Sequence, residues 1–178
     1  MKLVVISDIH GSKFYANRII EIMNTENPDK LVLLGDLYYH GPRNPLTEEY
    51  NPKDVAEILN SYKDKIIAIR GNCDAEVDEM ISEFKLNDYL ELEANNKKIF
   101  LSHGHKYNID CWPPVDFDIM LYGHFHIGFI YEEKDKIFAN PGSISLPKNN
   151  TKHSYLVIDE YKMILKDVDD NIIKEIDF

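Results

Sequence analysis

The sequence predicts an α/β domain with a parallel sheet core, antiparallel strands joined to it and helices covering the outside. Three observations predict it. Five short apolar runs end at Gly, Asp, Asn or His: Leu3–Ile6 before Ser7-Asp8-Ile9-His10, Leu31–Leu34 before Gly35-Asp36, Ile66–Ile69 before Arg70-Gly71-Asn72, Ile99–Leu101 before Ser102-His103-Gly104-His105, and Ile119–Tyr122 before Gly123-His124-Phe125-His126. Short β-branched-rich runs bounded in this way read as buried strands. Two segments of helical spacing alternate with the first three runs, and after Phe84 the pattern changes to short strands separated by turn sequences.

Strand one is expected over Lys2–Ser7. A helix follows over Phe14–Met23, with Phe14, Ile19, Ile20 and Met23 on one face, and Asn27-Pro28 stops it. Lys30–Leu34 is strand two. Tyr38–Tyr50 is rich in Pro, Gly and Asn and reads as a loop. Asn51-Pro52 has the form of an N-cap followed by Pro in the first helical position, and Val55, Ile58, Leu59 and Tyr62 continue that helix. Lys65–Arg70 is strand three, and Val77–Phe84 is expected to be a short helix. Strands then follow at Tyr89–Leu92, Lys98–Ser102, Ile119–Tyr122, Gly128–Glu132, Lys136–Ala139, Ser154–Asp159, Met163–Val168 and Ile172–Ile176. Asn95-Asn96, Lys134-Asp135 and Asp169-Asp170-Asn171 are the hairpin turns between some of them. No linker or break in composition divides the chain, so residues 1–178 read as one domain.

The bulk numbers exclude several classes of function. A chain of 178 residues, 44% hydrophobic and 29% charged, buries a core and is not disordered. A formal charge of −11 repels a nucleic-acid backbone, so no nucleic-acid partner is expected. No apolar stretch reaches membrane-spanning length, and Lys2–Ile6 is too short for a signal segment. Cys73 and Cys111 cannot form a disulfide framework. The expectation is a cytoplasmic protein with reduced thiols and no membrane partner.

In α/β folds, ligands bind beyond the carboxyl ends of strands. Taken singly, the motifs there are ambiguous. Asp8 could cap the following helix, Gly35-Asp36 is common turn chemistry, and Asn72 is a good turn residue. Together they differ from chance. Of seven histidines, five (His10, His103, His105, His124 and His126) follow predicted strands, among Asp8, Asp36 and Asn72. Imidazole, carboxylate and amide oxygen are ligands for divalent metals, so one metal site is expected at one sheet edge. His153 stands apart and is expected at the surface.

In their order, Asp8-x-His10, Gly35-Asp36, Gly71-Asn72, His103 and Gly123-His124-x-His126 resemble the signature of the calcineurin-like metallophosphoesterases. His40-Gly41-Pro42-Arg43-Asn44, Arg70-Gly71-Asn72-Cys73-Asp74 and Asn140-Pro141-Gly142-Ser143 narrow the resemblance to the small YfcE-type phosphodiesterases. The resemblance covers nearly the whole chain. It implies two packed mixed sheets flanked by helices on both outer faces, and a centre of two divalent ions. It assigns Asp8, His10 and His126 to one ion and Asn72, His103 and His124 to the other, with Asp36 bridging. Mn²⁺ is the metal the resemblance favours, and the N and O donors equally admit Fe²⁺, Zn²⁺, Ni²⁺ or Co²⁺.

The activity implied is hydrolysis of a small phosphodiester by a hydroxide that bridges the two ions. Many members of the family carry His directly after the Asn, where it contacts phosphate and helps to protonate the leaving group. Here that residue is Cys73, a weak donor, so substrates with good leaving groups are expected. Arg43 follows Asp36 in the chain and suits bidentate phosphate recognition, or else ties its loop to a carboxylate. His105 either replaces the missing acid or supports the ligands from outside. Asn72, Cys73, Arg43 and His105 are therefore the expected substrate contacts. The alternatives are a scaffold resembling the retromer subunit, whose metal positions are degraded, a phosphomonoesterase or protein phosphatase, and a one-metal hydrolase. Tyr38, Tyr39 and Tyr50 flank a loop expected to be exposed, where they either contribute to an interface or line the substrate cleft, and the resemblance implies a homodimer or a higher homo-oligomer.

Overall fold

Strand β1 (Leu3–Ile6) is buried along its whole length, because it lies at the centre of a sheet covered on both faces. Helix α1 (Lys13–Glu26) starts where Ser12 Oγ accepts from Tyr15 N, and ends at Asn27, whose left-handed backbone (φ 43°) lets its N–H reach Met23 O before Pro28. Strand β2 (Lys30–Leu33) pairs parallel with β1. Helix α2 (Pro52–Asn60) is capped as the sequence predicts, with Asn51 Oδ1 accepting from Asp54 N and Pro52 in the first turn. Strand β3 (Ile66–Ile69) completes the βαβαβ unit. The computed structural model describes all residues from 1 to 178.

The predicted helix at Val77–Phe84 is only a 3-10 turn over Glu76–Met80. The segment finds no core to pack on, since Val77 and Met80 remain 60% and 83% exposed, and so short a helix has little stability alone. A two-residue strand that the sequence did not announce, β4 (Leu86–Asn87), then adds to β3. Strands β5 (Leu90–Ala94), β6 (Lys97–Leu101), β7 (Ile119–Leu121), β8 (Gly128–Glu133) and β9 (Lys136–Pro141) form a second sheet in the order β5-β6-β7-β9-β8. The turns Asn95-Asn96 and Lys134-Asp135 all take positive φ, the geometry of a two-residue hairpin. Strands β10 (Ser154–Ile158), β11 (Lys162–Asp167) and β12 (Ile172–Asp177) return to the first sheet, in the order β12-β11-β10-β1-β2-β3-β4. Both sheets are mixed, and in the first the parallel core is extended by antiparallel strands as expected.

Alternation along the strands divides the apolar residues into three layers. Val4, Ile6, Leu31 and Leu33 face α1 and α2. Leu3, Val5, Val32, Ile99, Leu101, Ile119 and Leu121 fill the space between the sheets. Phe100, Met120 and Phe138 point to the other outer face. The expected helices are absent from that last face. The 102–118 segment covers it instead, with Phe117 buried there and Tyr107 and Ile109 packed alongside. Trp112 lies 5.4 Å from the Phe138 ring. Gly104, Pro113 and Pro114 keep this connection from becoming helical, so aromatic side chains do the covering.

One ion cluster locks the end of α1 to the β10–β11 hairpin. Glu26 accepts from Lys2 Nζ and Lys166 Nζ, each at 2.7 Å, and from Tyr155 Oη at 3.3 Å. Burial disfavours its charge, but the two ammonium groups outweigh burial and hold the carboxyl below its usual range. A depressed carboxyl adds stability that is present above its unfolded pKa and is lost as pH falls through its folded pKa. Glu26→Gln is therefore expected to lower stability by about 2 kcal/mol at neutral pH, less than a sealed pair because Lys2 reaches solvent. The deficit should shrink below about pH 4, where wild type also loses the charge. Chemical denaturation of both proteins across pH checks this.

Candidate metal centre

The residues expected at strand ends do converge. Asp8 and His10 follow β1, Asp36 follows β2, Asn72 follows β3, His103 follows β6, and His124 and His126 follow β7. The backbone turns sharply at these points. Asp8, His10, Asp36, His124 and His126 all have φ between 49° and 67°. Side chains rarely adopt that region, and a cluster of such residues marks a functional site. The turns also need close backbone approach. A Cβ on Gly71 would overlap Asp36 Oδ1 and its backbone N, and one on Gly123 would overlap Ser7 Oγ.

Three histidines are aimed by backbone carbonyls. His10 Nδ1 donates to Tyr39 O at 2.8 Å, His103 Nδ1 to Leu34 O at 2.6 Å and His126 Nδ1 to Leu146 O at 2.7 Å. That fixes the rings and presents Nε2 to the interior, the arrangement usual for metal-ligating histidines. His126 Nε2 lies 3.2 Å from Asp8 Oδ1 and 3.2 Å from His10 Nε2. His103 Nε2 lies 3.1 Å from Asn72 Oδ1 and 3.4 Å from Asp36 Oδ2. The two groups meet at Asp36, whose Oδ2 is also 3.6 Å from His10 Nε2. His124 stands at the solvent side, its ring 5.1 Å from that of His103, while its N–H donates to Asp8 Oδ2.

These atoms are acceptors facing acceptors, and a cation between them resolves the conflict. Asp8 Oδ1 is buried without a hydrogen-bond partner, although Oδ2 accepts from Ser7 Oγ and His124 N. A single proton shared by His10 and His126 could satisfy only one of the atoms around it, whereas a divalent ion satisfies all of them. The electrostatics agree. Burial opposes charge on Asp8 and Asp36, yet the neighbouring imidazoles hold both carboxyls below their usual range. Burial likewise opposes charge on His103, yet Asp36 and Asp8 push it up to about 9. The donor set thus suits metal, in groups of Asp8 with His10 and His126, and of Asp8 with Asp36 and His103.

The Cys73 thiol forms a third group with His10 and Asp36. Burial and the charge of Asp36 push it up to about 12, so it is the donor least ready to ionise. Its backbone N–H donates to Asp36 Oδ1 at 2.8 Å. Asp36, Tyr39, Arg43, Asn72, Cys73 and His124 line an open cleft of about 730 Å³ above the centre. Arg43 has no carboxylate partner there, so the alternative of a loop tie is not realised. His105 is exposed 5.4 Å from the His103 ring and is not part of the cleft wall.

Two expectations need correction. Tyr38 is buried, with its hydroxyl 2.7 Å from Ser82 Oγ, and Tyr50 is half-buried against His40, so only Tyr39 of the three is exposed, and it faces the cleft. His153 is half-buried, because its ring stacks on Tyr15 at 4.4 Å and its Nδ1 donates to Ile144 O. Sequence reasoning also missed the groups that hold the ligand loops. Asp74 accepts from Asp36 N, Leu37 N and Gly71 N at 2.7–2.8 Å, and burial and Asp36 push its carboxyl up to about 6. Ser143 and Ser145 donate to Asp8 O, and Asn140 Nδ2 donates to Gly123 O. Asp74, Asn140 and Ser143 carried a sequence signal only as members of the motifs that narrowed the resemblance, and Ser145 carried none.

A sandwich of two mixed sheets with such a cluster at its strand ends defines a metallohydrolase. Residues 1–163 match the calcineurin-like phosphoesterase superfamily domain, and the chain belongs to that family of hydrolases. Phosphodiesterase YfcE of Escherichia coli strain K12 is 41% identical over 162 residues, covering 89% of this chain and 88% of that protein. A solved structure of the E. coli phosphoesterase Yfce superposes with a TM-score of 0.95 at 36% identity, covering 99% and 98% of the two chains. Phosphodiesterase MJ0936 of Methanocaldococcus jannaschii is 26% identical, covering 80% of this chain and 83% of that protein. The fold also occurs in vacuolar protein sorting 29 of Cryptosporidium parvum, with a TM-score of 0.69 at 19% identity over 99% and 97% of the chains.

Proposed function

We propose that the protein is a two-metal phosphodiesterase. The observation that carries this reading is the pair of ligand groups joined at Asp36 Oδ2, between His10 Nε2 and His103 Nε2. Asp8, His10 and His126 hold one ion, Asn72, His103 and His124 hold the other, and Asp36 serves both. Two divalent ions supply neutralisation of the phosphoryl charge and ionisation of water near neutral pH. Mn²⁺ is the preferred metal, and the N and O donors also accept Fe²⁺, Zn²⁺, Co²⁺ or Ni²⁺. The Nδ1 bonds to backbone carbonyls hold His10, His103 and His126 still, and Asn72, exposed on the cleft wall, meets the phosphate. Cys73 and Cys111 are free thiols, which fits the reducing cytoplasm. No helix is long and apolar enough to cross a membrane.

Cys73 decides the leaving group. It lines the cleft but offers no strong acid, so aryl diesters are the better substrates. Cys73→His is expected to raise kcat/KM on alkyl or cyclic nucleotide diesters by at least about 10-fold, with little gain on nitrophenyl diesters. Cys73→Ala is expected to change nitrophenyl diester hydrolysis by less than about 3-fold, since the thiol takes no chemical step. The test is a panel of mono- and diesters assayed with both variants and the wild type after reconstitution in each metal. Hydrolysis of diesters over monoesters supports the reading. Inactivity in every metal would favour the scaffold role instead.

A further inference from the structure

Two cations share the cleft with the metal centre, and neither has work within the molecule. Arg43 and Lys148 both line it, and no carboxylate lies within 4.0 Å of either. Most of the other cations in this acidic chain are paired with carboxylates or bonded to backbone carbonyls, as Lys2, Lys13, Arg18, Arg70 and Lys166 are. Asp36 is the sole carboxylate of the cleft wall, and it faces the metal centre.

Both cations are also tied to the ligand loops. Lys148 N donates to His126 O at 3.0 Å, so its position follows that of His126. The loop of Arg43 is closed by Asn44 Nδ2 donating to His40 O at 2.8 Å, next to Tyr39, whose carbonyl aims His10. Their place beside the centre is therefore built in.

Charge decides what they serve. Two divalent ions against Asp8 and Asp36 leave a centre of charge plus two. A diester monoanion and a hydroxide nucleophile balance that charge without help from the side chains. Arg43 and Lys148 then remain as two further positive charges in a cleft of about 730 Å³, which has room for more than one phosphoryl group.

We infer that Arg43 and Lys148 form an anion subsite beside the metal centre, and that the substrate class is a phosphodiester carrying a second, terminal phosphate. This inference rests on the phosphodiesterase reading above. Arg offers a planar pair of donors to phosphate oxygens and Lys offers a point charge. A terminal phosphate carries close to two negative charges at neutral pH, which matches the pair.

The test uses two esters that differ only in that phosphate: thymidine 5′-(p-nitrophenyl phosphate) with and without a 3′-phosphate. Scissile bond and leaving group are the same in both. Wild-type, metal-loaded protein is expected to prefer the 3′-phosphorylated ester by at least about 10-fold in kcat/KM, mostly through KM. Arg43→Ala and Lys148→Ala should each reduce that ratio several-fold, the double variant should bring it near one, and Lys148→Arg should restore most of the preference. Calorimetry gives a readout without turnover: thymidine 3′,5′-bisphosphate should bind wild type at least about 10-fold more tightly than thymidine 5′-phosphate, and the double variant should bind both alike. A wild-type ratio near one overturns the subsite while leaving the phosphodiesterase reading in place. Equal loss on both esters in the variants also overturns it, because the cations would then grip the scissile phosphate. Failure to cleave either ester overturns the reading on which the subsite rests.

Discussion

Replacing Asp36 by Asn is expected to weaken both metal positions together and to lower kcat/KM by more than about 100-fold, the upper range for partners that only support a ligand. Asp36 Oδ2 approaches a histidine of each group, 3.6 Å from His10 Nε2 and 3.4 Å from His103 Nε2. Its Oδ1 is engaged by Cys73 N at 2.8 Å, which fixes the rotamer. An amide at this position keeps the shape and can still accept from Cys73. It removes one of only two carboxylates in the centre and with it the charge that holds the ions. Replacing a ligand of one group alone, as in His126→Ala, should empty one position and spare the other. Metal content of the two variants, measured by elemental analysis, separates a shared carboxylate from two independent sites. Loss of a single ion in Asp36→Asn would show that it does not bridge.

Asp74→Ala is expected to be the most damaging change outside the ligands. The carboxylate is buried and accepts from three backbone N–H groups, those of Asp36, Leu37 and Gly71. It thereby joins the loop after β2 to the loop after β3. A buried N–H left without a partner costs about 1–3 kcal/mol, so three of them should lower stability by about 3 kcal/mol or more. For a chain of this size that is a fall in Tm of roughly 10 °C. Because the loops carry Asp36 and Asn72, metal affinity should drop about 10- to 100-fold even at temperatures where the variant is folded. Asp74→Asn retains one acceptor but turns an NH₂ toward an N–H, and should fall between wild type and Asp74→Ala in both measures. A wild-type melting curve and wild-type metal affinity for Asp74→Ala would show that the loops hold their positions without it.

The sequence made the metal ligands legible because each sits two to four residues beyond an apolar run, and strands deliver such residues to a common edge. Caps were legible for the same local reason: Asn51-Pro52 and Asn27-Pro28 act within one turn of chain. What failed depended on distant partners. Val77 and Met80 have a helical spacing, but no surface comes to meet them, so their segment stays a short 3-10 turn. Leu86–Asn87 becomes a strand only because β3 offers an edge. The absence of a helix over Phe100 and Phe138 reflects Trp112 and Phe117 packing from a proline-containing loop, which periodicity does not reveal. Asp74 and Ser143 lie in loops and Asn140 near the end of β9, and nothing local marks any of them as a support for the centre. Their bonds to Asp36, Gly123 and Asp8 are made across 17 or more residues of chain, beyond any local pattern.

The central claim is that two ions occupy one centre and that both are needed for activity. Metal-free protein titrated with Mn²⁺, with bound metal per chain and diester hydrolysis followed in the same samples, tests it most directly. The expected result is binding that saturates at two equivalents per chain, with activity rising mainly as the second is taken up. Saturation at one equivalent with full activity, or hydrolysis that persists with no bound metal, would contradict it.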